Sequence, residues 1–356
     1  MHLGKGKSDR KDAQWLLRFG QQQPTPRWQP EEAVLVECRQ LQQATELLIR
    51  QKTMISNALE AVQQQPTVCP AVLRQLRLTL RRLERQVLEL QADLLTRIEQ
   101  RYGRELALLE SMRTGTSGIV VPGPKATFPE AYQATSRLTY YATLFNSVEI
   151  NSTFYRIPQP KTFAAWAAET GPAFDFTLKL WRDITHTKAL ADDLSGIVRF
   201  LEAARELGTK KGCLLIQFPP SNTIRQLHAV SALLTALAAA DPAHEWRKAV
   251  EFRHASWYAD DTLDMLDHHG ASLVLHDKGP ARNARLNEGA DVVYMRFHGP
   301  QGNYRASYER DFLHDHAEQI HDYLHEGKDV YAYFNNTMGA AFENAQDLYR
   351  LVAERA

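Results

Sequence analysis

Residues 248–258, KAVEFRHASWY, pass from an apolar run (Ala249, Val250, Phe252) to side chains that can carry chemistry: Glu251, Arg253, His254, Ser256 and Trp257. An apolar strand ending in ionisable residues is the pattern of a parallel-barrel strand, whose C-terminal end feeds the loops that build active sites. The pattern recurs along the chain. SVEIN (147–151) carries Glu149 and Asn151, FTLKL (176–180) carries Lys179 and CLLIQF (213–218) carries Gln217. VVYMRFHG (292–299) carries Arg296 and His298, and DVYAYFNN (329–336) ends in Asn335 and Asn336. Glu149 and Glu251 are candidates for a general acid/base pair, with His298 as a proton shuttle. Lys179, Arg253 and Arg296 can clamp a phosphate or carboxylate, the arginines through a planar fork of donors. Asn151, Gln217, His254, Asn335 and Asn336 can bind the hydroxyls or amides of a substrate. The two carboxylates can equally be ion-paired to the three cations, because charges that point into a fold rarely go unpaired.

Other chemistries find less support. Glu149, Glu251, Asp277 and His298 are of the types that ligate metals, but three cations compete and no local spacing such as HExxH is present. No metal or cofactor is therefore expected. The chain has no GxSxG elbow, and GTSG (115–118) lacks the lysine and spacing of a phosphate loop.

Placing these residues around one cavity requires eight strands with a common direction. RTGTSG (113–118), KAVEFR (248–253), SLVLHD (272–277) and the five stretches above from SVEIN onward supply them. Helical patterns at 161–169, 194–208, 223–240, 262–270 and 309–327 fill most of the gaps. Eight such units fit a closed (β/α)8 barrel, typically ~250 residues; an open doubly wound sheet is the alternative. The gap between 273 and 292 is too short for a full helix, so one crossover is irregular. Side chains alternate along a strand. Glu149 shares its face with Ser147 and Asn151, Glu251 with Arg253, Arg296 with His298, Gln217 with Leu215, and Asn335 with Tyr333. Val148, Ile150, Leu178, Ile216, Val250 and Phe252 fall on the opposite face, toward helices.

Residues 1–111 follow another pattern. Leu41, Leu48, Ile55 and Val62 recur every seven residues. After the proline-marked break at 63–70, Leu73, Leu76, Leu80, Leu83, Val87, Leu90 and Leu94 alternate spacings of three and four. Two long helices forming an antiparallel hairpin or coiled coil follow, with homo-oligomerisation through residues 31–100 as their expected use. Arg74, Arg77, Arg81, Arg82 and Arg85 give a basic face that can touch nucleic-acid phosphates. The chain thus divides into a helical segment, 1–111, and a barrel, 112–356.

Two resemblances accompany these patterns. KSDRKDAQWLLRFG (7–20), the hairpin and ELALLES (105–111) resemble the middle of the DEDD-type insertion-sequence transposases of the 110 class. In that family a Lys-Thr/Ser-Asp-x-x-Asp-Ala motif closes a two-metal nuclease domain, here matched by Asp9 and Asp12 alone, so no transposase activity is expected. VEINSTFYRIP (148–158), FTLKLWRDITHTK (176–188), LLIQFPP (214–220), VEFRHASW (250–257), YMRFHGPQGNYR (294–305) and YFNNT (333–337) resemble the YecE-like barrel family, domain of unknown function seventy-two, over 113–356. That resemblance implies a TIM-type barrel and a set of mouth residues, but no reaction. The chain departs from the family at IVVPG (119–123), which replaces an aromatic-containing turn, and at Ala255, where a proline is usual.

Composition excludes several classes. The 42 basic and 42 acidic residues balance, so no global field marks a nucleic-acid or membrane protein. Cys38, Cys69 and Cys213 are far apart and odd in number, which suits a reducing compartment. No apolar run has the length of a membrane span and the N-terminus has no apolar leader, so a cytoplasmic location and no membrane partner are expected. The function expected from the sequence is an acid/base hydrolase or isomerase acting on a small polar, anionic or sugar-like molecule. The alternative is a nucleotide- or nucleic-acid-binding module with a helical arm.

Overall fold

The structure is a computed structural model that describes residues 32–187, 190 and 195–356. Asp9, Asp12 and the motif around them lie outside the described residues. The chain divides into two compact units at Gly103/Arg104.

α1 (Ala33–Gln63) and α2 (Pro70–Glu110) are joined by the short connection at 64–69, and helical geometry breaks inside α2 at Tyr102, next to the boundary between the units. The helices run antiparallel. Arg101 pairs with Glu32 at 3.1 Å, Arg97 with Glu37, and Lys52 with Glu84 at 3.6 Å. The seam expected from the heptads lies between them: its leucines, Ile55, Val62 and Val87 are half-buried, and Leu83 is buried. A two-helix hairpin covers one face of each helix. Leu47, Met54, Leu78, Leu88 and Leu95 consequently remain more than half exposed.

Among its described residues the second unit holds nine strand segments: β1 (Met112–Thr116), β2 (Ser147–Ile150), β3 (Asp175–Lys179), β4 (Lys211–Gln217), β5 (Arg247–Glu251), β6 (Ala271–Leu273), β7 (Leu275–His276), β8 (Val292–Phe297) and β9 (Asp329–Phe334). They form two sheets, β1-β9-β8-β7 and β2-β3-β4-β5-β6. Every pairing within them is parallel. This is an α/β architecture, and its strands are those expected, with the one at 272–277 split at Val274. Helices Pro160–Ala168, Ser195–Ala204, Leu227–Ala240, Asp260–His268 and Arg310–His325 occupy the expected gaps. Between β7 and β8 there is only the short turn Gly279–Ala281, as the length of that gap requires. Helix Ala341–Ala353 was not anticipated; it buries Ala341, Ala345, Leu348, Leu351 and Val352.

Strand alternation sorts the interior into two clusters. Val148, Ile150, Leu178, Ile216, Val250 and Phe252 belong to a large core shared with the helices. Phe252 stacks between Phe218 and Trp257 there, with centroids 5.4 and 4.0 Å away. Each such side chain contributes roughly 1.5–3 kcal/mol by burial. Cys213, Leu215, Ala249, Val274, Val292, Tyr294, Tyr331 and Tyr333 form a separate cluster from strands of both sheets. The Tyr333 hydroxyl on β9 lies 2.5 Å from Ser147 Oγ on β2 and 2.8 Å from Thr177 Oγ1 on β3. This inner layer is the floor on which the charged residues stand, two positions further along the same strands.

Candidate functional site

Arg296, on β8, is the centre of the charged layer, and it is wholly buried. Its Nε and Nη2 donate to Glu149 Oε2 and Oε1 at 2.8 and 2.7 Å, and its Nη1 donates to Glu251 Oε2 at 2.5 Å. One guanidinium thus joins β8 of one sheet to β2 and β5 of the other. Glu149 also accepts from the Ser117 and Tyr294 hydroxyls, each at 2.6 Å. With four donors around two oxygens, its acceptor directions are filled. Burial alone would raise the Glu149 carboxyl, but the Arg296 charge and hydrogen bonds hold it below the usual range. Glu251 is likewise buried, and Arg253 and Arg296 hold it well below that range. Burial opposes the charge on Arg296, yet its two carboxylates push its pKa well up.

Above this layer the side chains meet solvent. Arg253 follows β5 and touches Glu251 as an ion pair that lacks the alignment of a hydrogen bond. Its Nη2 reaches His298 Nε2 at 3.1 Å and Gln217 Oε1 at 3.5 Å. Lys179, the last residue of β3, donates to the same Gln217 oxygen at 2.9 Å and sits 4.1 Å from the Phe154 ring centroid. Desolvation, and then the nearby Arg296 charge, bring Lys179 down to about 8. Lys179, Gln217 and Arg253 are half-buried, whereas Glu149, Glu251 and His298 are wholly buried. The face presented to solvent is therefore made of cations and an amide, with the anions beneath.

His298 completes the cluster. Its Nδ1 lies 3.0 Å from Asp277 Oδ1, which also accepts the His298 backbone N–H at 2.7 Å. The Tyr308 hydroxyl donates to the other Asp277 oxygen. Burial lowers the imidazole to about 4 despite Asp277, so His298 is neutral at pH 7. A neutral ring between these partners carries its proton on Nδ1, toward Asp277, and accepts from Arg253 at Nε2. The following loop folds tightly over the ring. At Gly299 (φ 96°) a Cβ would lie 2.4 Å from Arg305 O, and Tyr304 and Ala306 hold φ of 68° and 65°. Such conformations are costly outside glycine and cluster at functional sites.

The remaining expected residues fall elsewhere or nearby. Asn151 and Asn335 are half-buried at the ends of β2 and β9. Asn336 does not join the cluster. It is wholly buried and donates to Ala306 O at 2.9 Å and Asn344 Oδ1 at 3.0 Å, because neighbours on an extended chain point to opposite sides. His254 also stays outside: it is exposed, and its Nδ1 accepts from the Ser256 backbone at 3.2 Å, fixing the turn. Tyr294, Ser117 and Tyr308 are site residues that sequence reasoning missed. Tyr294 shares strand parity with Arg296, and Ser117 lies in the expected strand 113–118 and bridges to Glu149, both usable signals; Tyr308 lies in a loop, where no periodicity points to it.

Of two sizeable cavities, one lies away from this cluster and the other reaches its Asp277 and Arg296. One of about 700 Å³ is lined by Thr114, Asn146, Phe174, Tyr349 and Arg350, near the strand ends opposite Lys179. One of about 350 Å³ lies between β7, β8 and helix Arg310–His325, where the crossover lacks a helix. Neither is lined by Lys179 or Arg253. Convergent ionisable groups, rather than hollow volume, mark the candidate site. Among the described residues no three His, Cys, Asp or Glu side chains gather as a metal-ligand set, and no helix is long and apolar enough to cross a membrane.

The family model described as "Protein of unknown function DUF72" matches residues 113–356. The UPF0759 protein YecE of Escherichia coli K12 is 32% identical over 155 residues, 42% of this chain and 54% of that protein, so the chain spans about half the length of that relative. The UPF0759 protein YunF of Bacillus subtilis is 22% identical over 264 residues, 63% of this chain and 89% of that protein. A DUF72 family protein of Enterococcus faecalis, solved by crystallography, superposes with a TM-score of 0.55 at 22% identity, covering 68% of this chain and 97% of that one.

Proposed function

The chain belongs to the DUF72 family over residues 113–356, and from that footing we propose that its nine strand segments wall one closed (β/α)8 barrel whose mouth is an anion-binding catalytic site. Closure is supported at both seams between the sheets. Beyond β1, Ser117 bridges to Glu149 and the Gly118 N–H donates to Glu149 O at 2.7 Å. Only Val274 separates β6 from β7, and its N–H still donates to Val250 O at 2.9 Å.

The observation that carries the function is the convergence of two partly buried cations, Lys179 and Arg253, on one Gln217 oxygen beside buried carboxylates. A carboxylate or phosphate of a small substrate docks between those cations. The contact of Arg253 with Glu251 lacks hydrogen-bond alignment. As Arg253 turns to the anion it leaves His298 Nε2, whose lone pair then takes a substrate proton while Asp277 steadies the imidazolium. Glu149 holds Arg296, and Glu251 links Arg296 to Arg253. The reaction class is proton transfer in a hydrolase or isomerase. Titration of the full chain with inorganic phosphate and with pyruvate, followed by calorimetry, tests the site. Arg253→Ala weakens binding at least ~10-fold; an unchanged affinity refutes the anion site.

A second reading is favoured by α2, where Arg74, Arg77, Arg81, Arg82 and Arg85 are all exposed. In it the hairpin, a transposase-like arm without strand-transfer chemistry, grips a nucleic-acid backbone. Binding of duplex DNA that weakens steeply with salt and is lost on replacing these five arginines supports that reading; salt-independent binding, or none, removes it.

A further inference from the structure

We propose that Lys179 is a carbonyl-trapping nucleophile, forming an imine with a small aldehyde or ketone that bears a carboxylate or phosphate. The inference rests on the anion-site reading above and names the substrate class for it. The geometry is that of a held amine. Lys179 closes β3, its Nζ is 2.9 Å from Gln217 Oε1 and 4.1 Å from the Phe154 ring centroid, and its side chain is half-buried. Gln217 also contacts Arg253, so the cation that would take an anionic substituent sits one residue away from the amine. A 2-oxo acid or a phosphorylated carbonyl compound carries both an anion for Arg253 and an electrophilic carbon for the amine. Carbonyl addition needs the free amine. With Lys179 brought to about 8, that form is some two orders of magnitude more abundant at neutral pH than in an ordinary lysine.

The step balances without a further reagent. The Nζ lone pair bonds to the carbonyl carbon while the C=O π pair moves to oxygen. That oxygen takes one proton from Nζ and one from solvent and leaves as water, and the nitrogen keeps one hydrogen in a protonated imine. Removing a proton beside the imine carbon is work within the reach of the His298–Asp277 pair, which ties this chemistry to an isomerase or lyase.

The test incubates the full chain with pyruvate and sodium cyanoborohydride near pH 7.5, then maps reduced adducts on each lysine by mass spectrometry. Lys179 is expected to label at least ~10-fold faster than exposed Lys161, and Lys179→Arg, which keeps the charge, is expected to abolish that fast label. Equal labelling of Lys179 and Lys161 overturns the proposal. Calorimetry with pyruvate separates the two levels of inference. Arg253-dependent binding with no fast label refutes the nucleophile and leaves the anion site standing. Absence of both refutes the two together. Acetone, which carries no anion, is the control: labelling of Lys179 by pyruvate should fall to the acetone rate in Arg253→Ala, and a label indifferent to that substitution overturns the claim that an anionic substituent directs it.

Discussion

The single residue on which most depends is Arg296, because three of its donors are spent on two carboxylates with no water to replace them. Removing one partner from a buried ion network leaves an uncompensated charge, which typically costs ~3–5 kcal/mol. Glu149→Gln sets an amide N–H2 against a guanidinium N–H and takes the acceptor from one hydroxyl, Ser117 or Tyr294. Urea denaturation should register a loss of about that size; a change below ~1 kcal/mol would mean that the network is not formed. The same residues set the acid limb of stability. Glu149 and Glu251 titrate below the ordinary carboxylate value in the folded chain. Their stabilisation is therefore complete above about pH 4.3 and lost as pH falls through the lowered folded values. His298 acts at higher pH. Its folded value of about 4 lies below the ordinary 6.5, so the unfolded chain binds more protons between those limits. Its contribution, up to ~3 kcal/mol, is present above pH 6.5 and lost as pH drops toward 4. His186, His269 and His276 are lowered too and act in the same direction, so the wild-type slope belongs to several groups. The discriminating measurement is a difference: the His298→Gln curve should be flatter than wild type between pH 6.5 and 4.

Among elements, the junction of β1 with β2 decides whether the two sheets act as one wall. The Tyr141 hydroxyl accepts the Thr116 N–H at 2.8 Å and donates to Ser147 O at 3.2 Å. Gly115 makes that junction close: a Cβ there would lie 2.1 Å from Ser147 O and 2.7 Å from the Tyr141 hydroxyl. Gly115→Ala should cost about 1–3 kcal/mol by forcing the strands apart. Gly171→Ala, where a Cβ meets nothing within 4 Å, should be near neutral in the same denaturation series. Strands of this kind are legible because alternation and polar ends are local signals. Alternation also brought Glu149, Glu251 and Arg296 to one interior. It could not say which carboxylate meets which cation, since Arg296 reaches partners 147 and 45 positions away. The parting of Asn335 and Asn336, by contrast, follows from alternation itself, which puts neighbours on opposite sides. The split at Val274 carries no glycine or proline; it is a feature of hydrogen-bond geometry. Helix Ala341–Ala353 escaped because two of its buried positions are alanines, whose small apolar surface barely marks the 3.6-residue period.

At the level of the molecule, a net charge of zero conceals an uneven design. The second unit buries its ionisable residues in a network, whereas the first leaves apolar residues in solvent. α1 and α2 satisfy one seam, yet Leu47 and Met54 repeat at seven on α1, and Leu88 and Leu95 repeat at seven on α2, all of them exposed. Seven-residue recurrence on a face that covers nothing is the pattern of a second seam, and a two-helix hairpin has little core of its own. A second hairpin of the same sequence supplies matching stripes, and closing the pair into a four-helix bundle would cover them. Full-length chain should therefore scatter light as a dimer or larger species at micromolar concentration, with a denaturation midpoint that rises with concentration. Leu88→Lys combined with Leu95→Lys puts two charges into that seam and should return the mass to one chain. The same double substitution should leave phosphate or pyruvate binding at Arg253 unaltered, because the anion site draws its residues from the strands. A wild-type chain that already scatters as a single copy would refute association through the hairpin.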